Sequence, residues 1–262
     1  MSTIPPTSPS KPYTELRSQL GTGDLFFLHG TSDAGLMIEN LEQEEGWPPY
    51  SHIGMVIKDG DNLYFWDAPG GGDCFPDPYA TDPDNAMFGT PVHNGCRVAD
   101  LDAVLAYYIT RVDVNGFWLR QLTSGVTDDR FGALRRFINR VDGQPFPTGP
   151  VPSWLNWLAG KKVDPSVTGL GANFLLGQDR ASLFYGTYFC AQLVADSYMH
   201  MGLLDMEVFP PNGYSPAAFS MSNSPRLPLV KGVTLGNVIF ADWGNGPRTT
   251  SSGYTCPPVT PG

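Results

Sequence analysis

Three residues of this chain have types and spacing that could do chemistry together: Cys190, His52 and Asp67. Cys190 lies in Tyr188-Phe189-Cys190-Ala191-Gln192-Leu193-Val194-Ala195-Asp196-Ser197-Tyr198. Leu193, Val194, Tyr198 and Met201 follow a helical stripe with the small Ser197 inside it, and Gly202 is a stop signal. Cys190 therefore falls in the first turn of a helix. A helix N-terminus favours an anion, and a thiolate held there is a nucleophile. A lone cysteine is more often a small buried hydrophobe, so this one gains meaning only from a base.

His52 supplies a candidate base. It stands directly before the apolar run Ile53-Gly54-Met55-Val56-Ile57, and a second run, Leu63 to Ala68, follows Gly60-Asp61. That dipeptide between two strand-like runs is a type II′ hairpin signal. A symmetric turn there makes paired residue numbers sum to 121, so Gly54 falls opposite Asp67 and Val56 opposite Phe65. Alternation then puts His52, Gly54 and Asp67 on one face. His52 and Asp67 become diagonal neighbours roughly 7–8 Å apart at the backbone, a gap their side chains can span. Gly54 is expected to leave open space beside them, and a one-residue bulge would destroy the arrangement. A carboxylate beside an imidazole fixes its tautomer, and an imidazole beside a thiol promotes the thiolate. The roles that follow are nucleophile for Cys190, base for His52 and orienter for Asp67.

The elements around these residues suggest an α+β chain. Residues 1–12 have a disordered composition, and 13–20 form a short helix. Asp24 to Leu28 form a buried strand, with Asp24 structural at its start. Residues 69–95 form a long Gly, Pro and Asp loop. Cys96 to Ala99 begin a strand, and Asp100 or Asp102 caps a helix over 101–108. A strand signal covers 112–120. Asp128 or Asp129 caps a helix to Arg140, with Phe131, Leu134, Phe137, Ile138 and Val141 on one face. Residues 142–186 are a long Pro-rich connection carrying Trp154-Leu155-Asn156-Trp157-Leu158. Residues 205–231 are loop, 233–241 a last strand and 244–262 a flexible tail. His29 is expected in a turn, and His93 and His200 show no persuasive partner.

The chain has 262 residues and a formal charge of −10. That balance argues against a nucleic-acid partner and disfavours attraction to anionic lipid heads. The four cysteines make no C-x-x-C pair and the histidines no H-E-x-x-H, so no metal site is expected; a Cys74–Cys96 disulfide stays open. There is no signal-peptide pattern and no apolar run of membrane-spanning length, which makes a cytoplasmic protein with reduced thiols the expectation.

Gly23-Asp24-Leu25-Phe26-Phe27, Ser51-His52-Ile53-Gly54-Met55-Val56 and Tyr188 to Val194 together resemble the NlpC-type papain-like cysteine hydrolases. Their order, with the cysteine last, resembles the circularly permuted branch, and Gly143-Gln144-Pro145-Phe146 is similar to a turn of that branch. Asp67 falls where those members carry an acidic or polar third residue, often Glu. The resemblance spans about residues 21–205, with 147–185 as an insertion in a single domain over 13–243. It implies an antiparallel half-barrel packed on the cysteine helix, and hydrolysis or transfer at an amide or ester through a thioester. It requires no cofactor. The Cys190 backbone N–H would hold part of the oxyanion. Tyr188 and Ser51 are further cleft candidates, although Tyr188 can equally be a packing residue. Two alternatives remain open. One is a lipid-directed phospholipase or acyltransferase, whose insertion could touch a membrane through Trp154 and Trp157. The other is a binding or structural protein that keeps the fold without turnover. Substrates would be peptides, other amides or acyl lipids.

Overall fold

The computed structural model describes residues 9–29, 50–69, 95–112, 116–144, 146, 188–221 and 227–244. Its strands are β1 (Ser10–Pro12), β2 (Leu25–Leu28), β3 (His52–Asp59), β4 (Asn62–Asp67), β5 (Arg97–Asp100), β6 (Gly116–Arg120) and β7 (Ile239–Asp242). Its helices are α1 (Tyr13–Arg17), α2 (Leu101–Val112), α3 (Asp128–Val141), α4 (Cys190–His200) and α5 (Pro216–Ser220). All seven strands join one sheet in the order β1-β7-β6-β2-β3-β4-β5. Every pairing is antiparallel except β1 with β7. The chain is thus a mixed α+β structure with an open sheet.

Alternation along the strands divides the apolar residues between two cores. Leu25 and Phe27 of β2, Ile53, Met55 and Ile57 of β3 and Trp66 of β4 pack with α3, α4 and α5. Phe26 and Leu28, Val56, Leu63 and Phe65 pack with α1 and α2 on the other face. This explains why all four residues of β2 are buried: a central strand covered on both faces reads as a continuous apolar run.

The β3–β4 hairpin forms in the expected register, with Met55 opposite Trp66, Val56 opposite Phe65 and Asp59 opposite Asn62. Gly60 turns it with φ of +60°, a conformation open to glycine at little cost. The space beside Gly54, expected to be open, is filled. A Cβ built there would lie 2.1 Å from Cζ of Phe65, whose ring is fully buried. Gly54 is thus a packing requirement, with an aromatic from the neighbouring strand lying over it.

Helix α4 has no side-chain N-cap and no acidic residue in its first turn. Packing holds it instead, because Ala191, Leu193, Val194, Ala195, Ser197 and Tyr198 are all buried. Each fully buried Leu or Val contributes about 1.5–3 kcal/mol relative to exposure, more than a cap of about 1 kcal/mol. Two hydrogen bonds fix its position. Trp66 Nε1 donates to Ser197 Oγ at 3.0 Å, and the Tyr198 hydroxyl donates to the Gly23 carbonyl. Gly202, at φ of +64°, ends it as expected.

Several local expectations change. Ser10–Pro12, whose composition suggests disorder, pair with β7 because Phe240, Ala241 and Asp242 offer a strand edge. Helix α2 runs through Val112, where a strand was expected, and Asp100 caps it by accepting from Ala103 N–H at 2.8 Å. The 205–231 loop contains a short 3₁₀ turn at Pro211–Gly213 as well as α5. Strand β7 begins only at Ile239, since Gly236 N–H already bonds to the Gln121 carbonyl. The segments 1–8, 70–94, 147–187 and 245–262 lie outside the described residues, and with them Cys74, His93, Trp154 and Trp157.

Gly54→Ala should therefore destabilise the fold by about 1–3 kcal/mol, the usual range for overpacking a core. Urea unfolding followed by tryptophan fluorescence should show a lower midpoint at unchanged slope. A midpoint equal to that of the parent would mean that Phe65 can move aside freely.

Candidate active site

His52 is the first residue of β3 and Asp67 the last of β4, so the hairpin presents both at its open end. His52 Nε2 lies 3.0 Å from Asp67 Oδ2. The Asp67 side chain is wholly buried and that of His52 is 13 % exposed. Both carry the strand parity of Val56 and Phe65, on the α1–α2 face. Cys190 belongs to the opposite core, at the first position of α4. The two meet where β3 begins and β4 stops, and there Cys190 is close enough to act on the His52 ring. With Nε2 taken by Asp67, Nδ1 is the ring nitrogen left for the thiol.

The local electrostatics suit an ion pair. Burial alone would pull the His52 imidazole down, but the negative charge Cys190 can carry, with hydrogen bonds to Asp67 and Cys190, holds it up at about 9. Burial alone would push the Asp67 carboxyl up, but Arg97, and then His52, hold it below its ordinary range. Asp67 is therefore a carboxylate, and the imidazole donates its Nε2–H to it. The N-terminal N–H groups of α4 have no partners within their own helix. They point toward the Cys190 end, and the first turn there holds no acidic side chain to compete for the dipole.

Arg97, missed in the sequence, is the other partner of Asp67. Its Nε donates to Oδ1 at 2.9 Å and its Nη2 to Oδ2 at 3.3 Å. Arg97 lies directly opposite Asp67 in the β4–β5 register and is buried. A buried arginine with a strand parity matching Asp67 was the available signal, but the pairing partner of β5 lies across the long 69–95 segment.

The remaining candidates have hydrogen-bond partners of their own. The Tyr188 hydroxyl donates to Asp196 Oδ2 at 2.9 Å, which commits its proton to α4. Ser51 donates its hydroxyl to the Leu28 carbonyl at 3.4 Å. Asp24 has the structural role expected of it: its carboxylate accepts from Gly21 N–H and Leu122 N–H, and burial raises it to about 6. His200 does have partners. Asp196 lies four residues earlier on the helix, with Oδ1 3.1 Å from Nδ1, and Arg140 Nη2 is 2.8 Å from Nε2. The i,i+4 spacing of Asp196 and His200 was the signal for this. His29 packs against Trp118 and Tyr50, and the Tyr108 ring stands 5.9 Å from His52.

Cys96 is a free, fully buried thiol, pushed up by burial with Asp142 and Asp67 adding to the effect. A thiol in that setting is inert. Among the described residues no three His, Cys, Asp or Glu side chains are grouped to hold a metal ion. No helix among them is long and apolar enough to cross a membrane.

No family model matches the chain, and no curated protein matches it. Among solved structures it is similar to the crystal structure of metalloprotein yiiX from Escherichia coli O157:H7. The two share 15% identity over 86% of this chain and 99% of that one, with a TM-score of 0.40.

The signs of the two shifts set a pH window. The raised His52 contributes stability that is fully present below about 6.5, its unfolded value, and is lost as pH rises through about 9. The lowered Asp67 contributes stability present above its unfolded value of about 3.9 and lost as pH falls through its lower folded value. An NMR titration of the imidazole should find His52 near 9 in the parent and lower in both Cys190→Ala and Asp67→Asn. A ring that titrates identically in all three proteins would show that neither neighbour acts on it.

Proposed function

We propose that this protein is a cysteine hydrolase of the circularly permuted, NlpC-type papain-like kind, cleaving an amide or ester through a thioester on Cys190. One observation carries this reading: His52 has a ring nitrogen on the Asp67 carboxylate and is acted on by a cysteine at a helix mouth. The seven-stranded sheet, antiparallel from β7 to β5, with a cysteine helix packed on one face, is in keeping with that fold.

In the proposed reaction, the Cys190 thiol gives its proton to His52 Nδ1, and the resulting thiolate attacks the acyl carbon. The carbonyl oxygen takes up the negative charge and accepts from the backbone N–H of Cys190. The intermediate collapses, the C–N or C–O bond breaks, and the Nδ1 proton of His52 passes to the leaving amine or alkoxide. Water then attacks the thioester and gives a proton to His52. The acid leaves, and the thiol is restored. Throughout, Asp67 holds the ring by Nε2 and balances the imidazolium charge. The lipid-directed alternative has its support in Trp154 and Trp157, outside the described residues, so the amide or ester reading stands ahead of it.

The test is the alkylation rate of Cys190 against pH in the parent and in His52→Ala, with modified sites read by mass spectrometry. The parent should react well below the usual thiol value of about 8.5. His52→Ala should lose that reactivity, by about tenfold or more at pH 7. A panel of activated esters and amides should then leave an acyl adduct on Cys190 alone. Ordinary thiol behaviour in both proteins, with no adduct, would sink the enzyme reading and leave a binding scaffold.

A further inference from the structure

The Cys190, His52 and Asp67 trio is one negative charge out of balance once it holds thiolate, imidazolium and carboxylate. Asp67 is wholly buried, and burial opposes an ionised carboxyl more strongly than any other single influence on it. Arg97 stands directly across the strand pair, itself 4% exposed, and grips both carboxylate oxygens. Its Nε takes Oδ1 outright, and Oδ2 is shared between Nη2 at 3.3 Å and His52 Nε2 at 3.0 Å. The guanidinium cannot be deprotonated in a protein, so the fourth charge is permanent. With it the cluster alternates in sign and sums to zero.

The protonation state of Asp67 decides more than charge. An ionised Asp67 only accepts, so a neutral His52 carries its proton on Nε2 and turns a lone pair on Nδ1 toward Cys190. A protonated Asp67 donates, and His52 Nε2 must then accept. The ring proton moves to Nδ1, which faces the thiol with a hydrogen and can no longer take the thiol proton. We propose that Arg97 is a positioning residue that keeps Asp67 ionised and thereby fixes which nitrogen of His52 is basic toward Cys190. This rests on the catalytic reading of the trio given above.

The groups facing the two titrating residues come from every element packed around them. Asp67 on β4 meets His52 from β3 and Arg97 from β5, and its charge helps to raise the neutral thiol of Cys96, just before β5. His52 meets Asp67, Cys190 from α4 and the Tyr108 ring from α2. This arrangement gives the proposal a sign that a simple charge effect would reverse. Removing a nearby cation should by itself raise the basicity of His52. If Arg97 instead keeps Asp67 ionised, removing it costs His52 its carboxylate, and the ring becomes less basic.

The experiment is an NMR titration of the His52 ring nitrogens in the full-length parent, Arg97→Gln, Arg97→Lys and Asp67→Asn, beside the Cys190 alkylation profile of each. In Arg97→Gln the ring should titrate about one unit or more below the parent, with its neutral form protonated on Nδ1, as in Asp67→Asn. Alkylation at pH 7 should slow about tenfold or more, following the smaller thiolate fraction. Arg97→Lys keeps a cation and should recover part of both. A folded Arg97→Gln whose His52 titrates at or above the parent value, with the proton still on Nε2, overturns the proposal. Should Arg97→Gln lack a dispersed spectrum, Arg97→Lys decides: an intermediate lowering supports the role, and an unchanged or raised value overturns it. An ordinary alkylation profile in the parent would defeat the catalytic reading, while the His52 comparison would still judge Arg97.

Discussion

A slip of one residue between β3 and β4 would turn Asp67 to the opposite face from His52 and strand a buried carboxylate among Trp66's neighbours. The site depends on that register more than on any other contact. It is pinned from several directions. Gly60 closes the turn at positive φ, which a β-branched residue would resist. The Phe65 ring lies over Gly54, so only a glycine fits diagonally across from it. Trp66, one residue before Asp67, reaches from the opposite face of the hairpin to Ser197 on the cysteine helix. The last of these bonds ties the hairpin register to the placement of α4, so the histidine and the cysteine are set by one connected framework.

The two described cysteines show how much setting matters. Both are buried, and the Cys96 thiol is raised further by Asp142 and Asp67. Burial dominates Cys96. Cys190 opens a helix whose first turn holds no carboxylate, next to a ring that holds its own proton well into the alkaline range. Composition makes the two alike, and only tertiary placement separates them.

Local patterns carried the hairpin, the cysteine helix and the His52–Asp67 contact into view from the sequence. They are short-range: a two-residue turn, an alternation of period two and a stripe of period 3.6. What stayed hidden is long-range. The β4–β5 pairing that delivers Arg97 spans the 69–95 segment, and nothing local fixes its register. The parallel pairing of Ser10–Pro12 with β7 joins residues more than two hundred positions apart. Arg120, which donates to the carbonyls of Gly236, Phe219 and Met221, was invisible for the same reason. The open space expected at Gly54 failed differently: the register was right, but the size of the diagonal neighbour was not weighed.

The outermost strand has a bearing on solubility. β1 is three exposed residues long and ends in Pro12, which has no N–H to offer a further strand. A short, proline-ended edge is a poor template for edge-to-edge association. Beneath it, β7 carries Ile239 and Phe240 next to Ala241, an apolar row with good strand propensity. Losing Ser10–Pro12 would leave the His52 and Asp67 pair untouched towards the other end of the sheet, yet it would bare that row and convert a guarded margin into an aggregation seed.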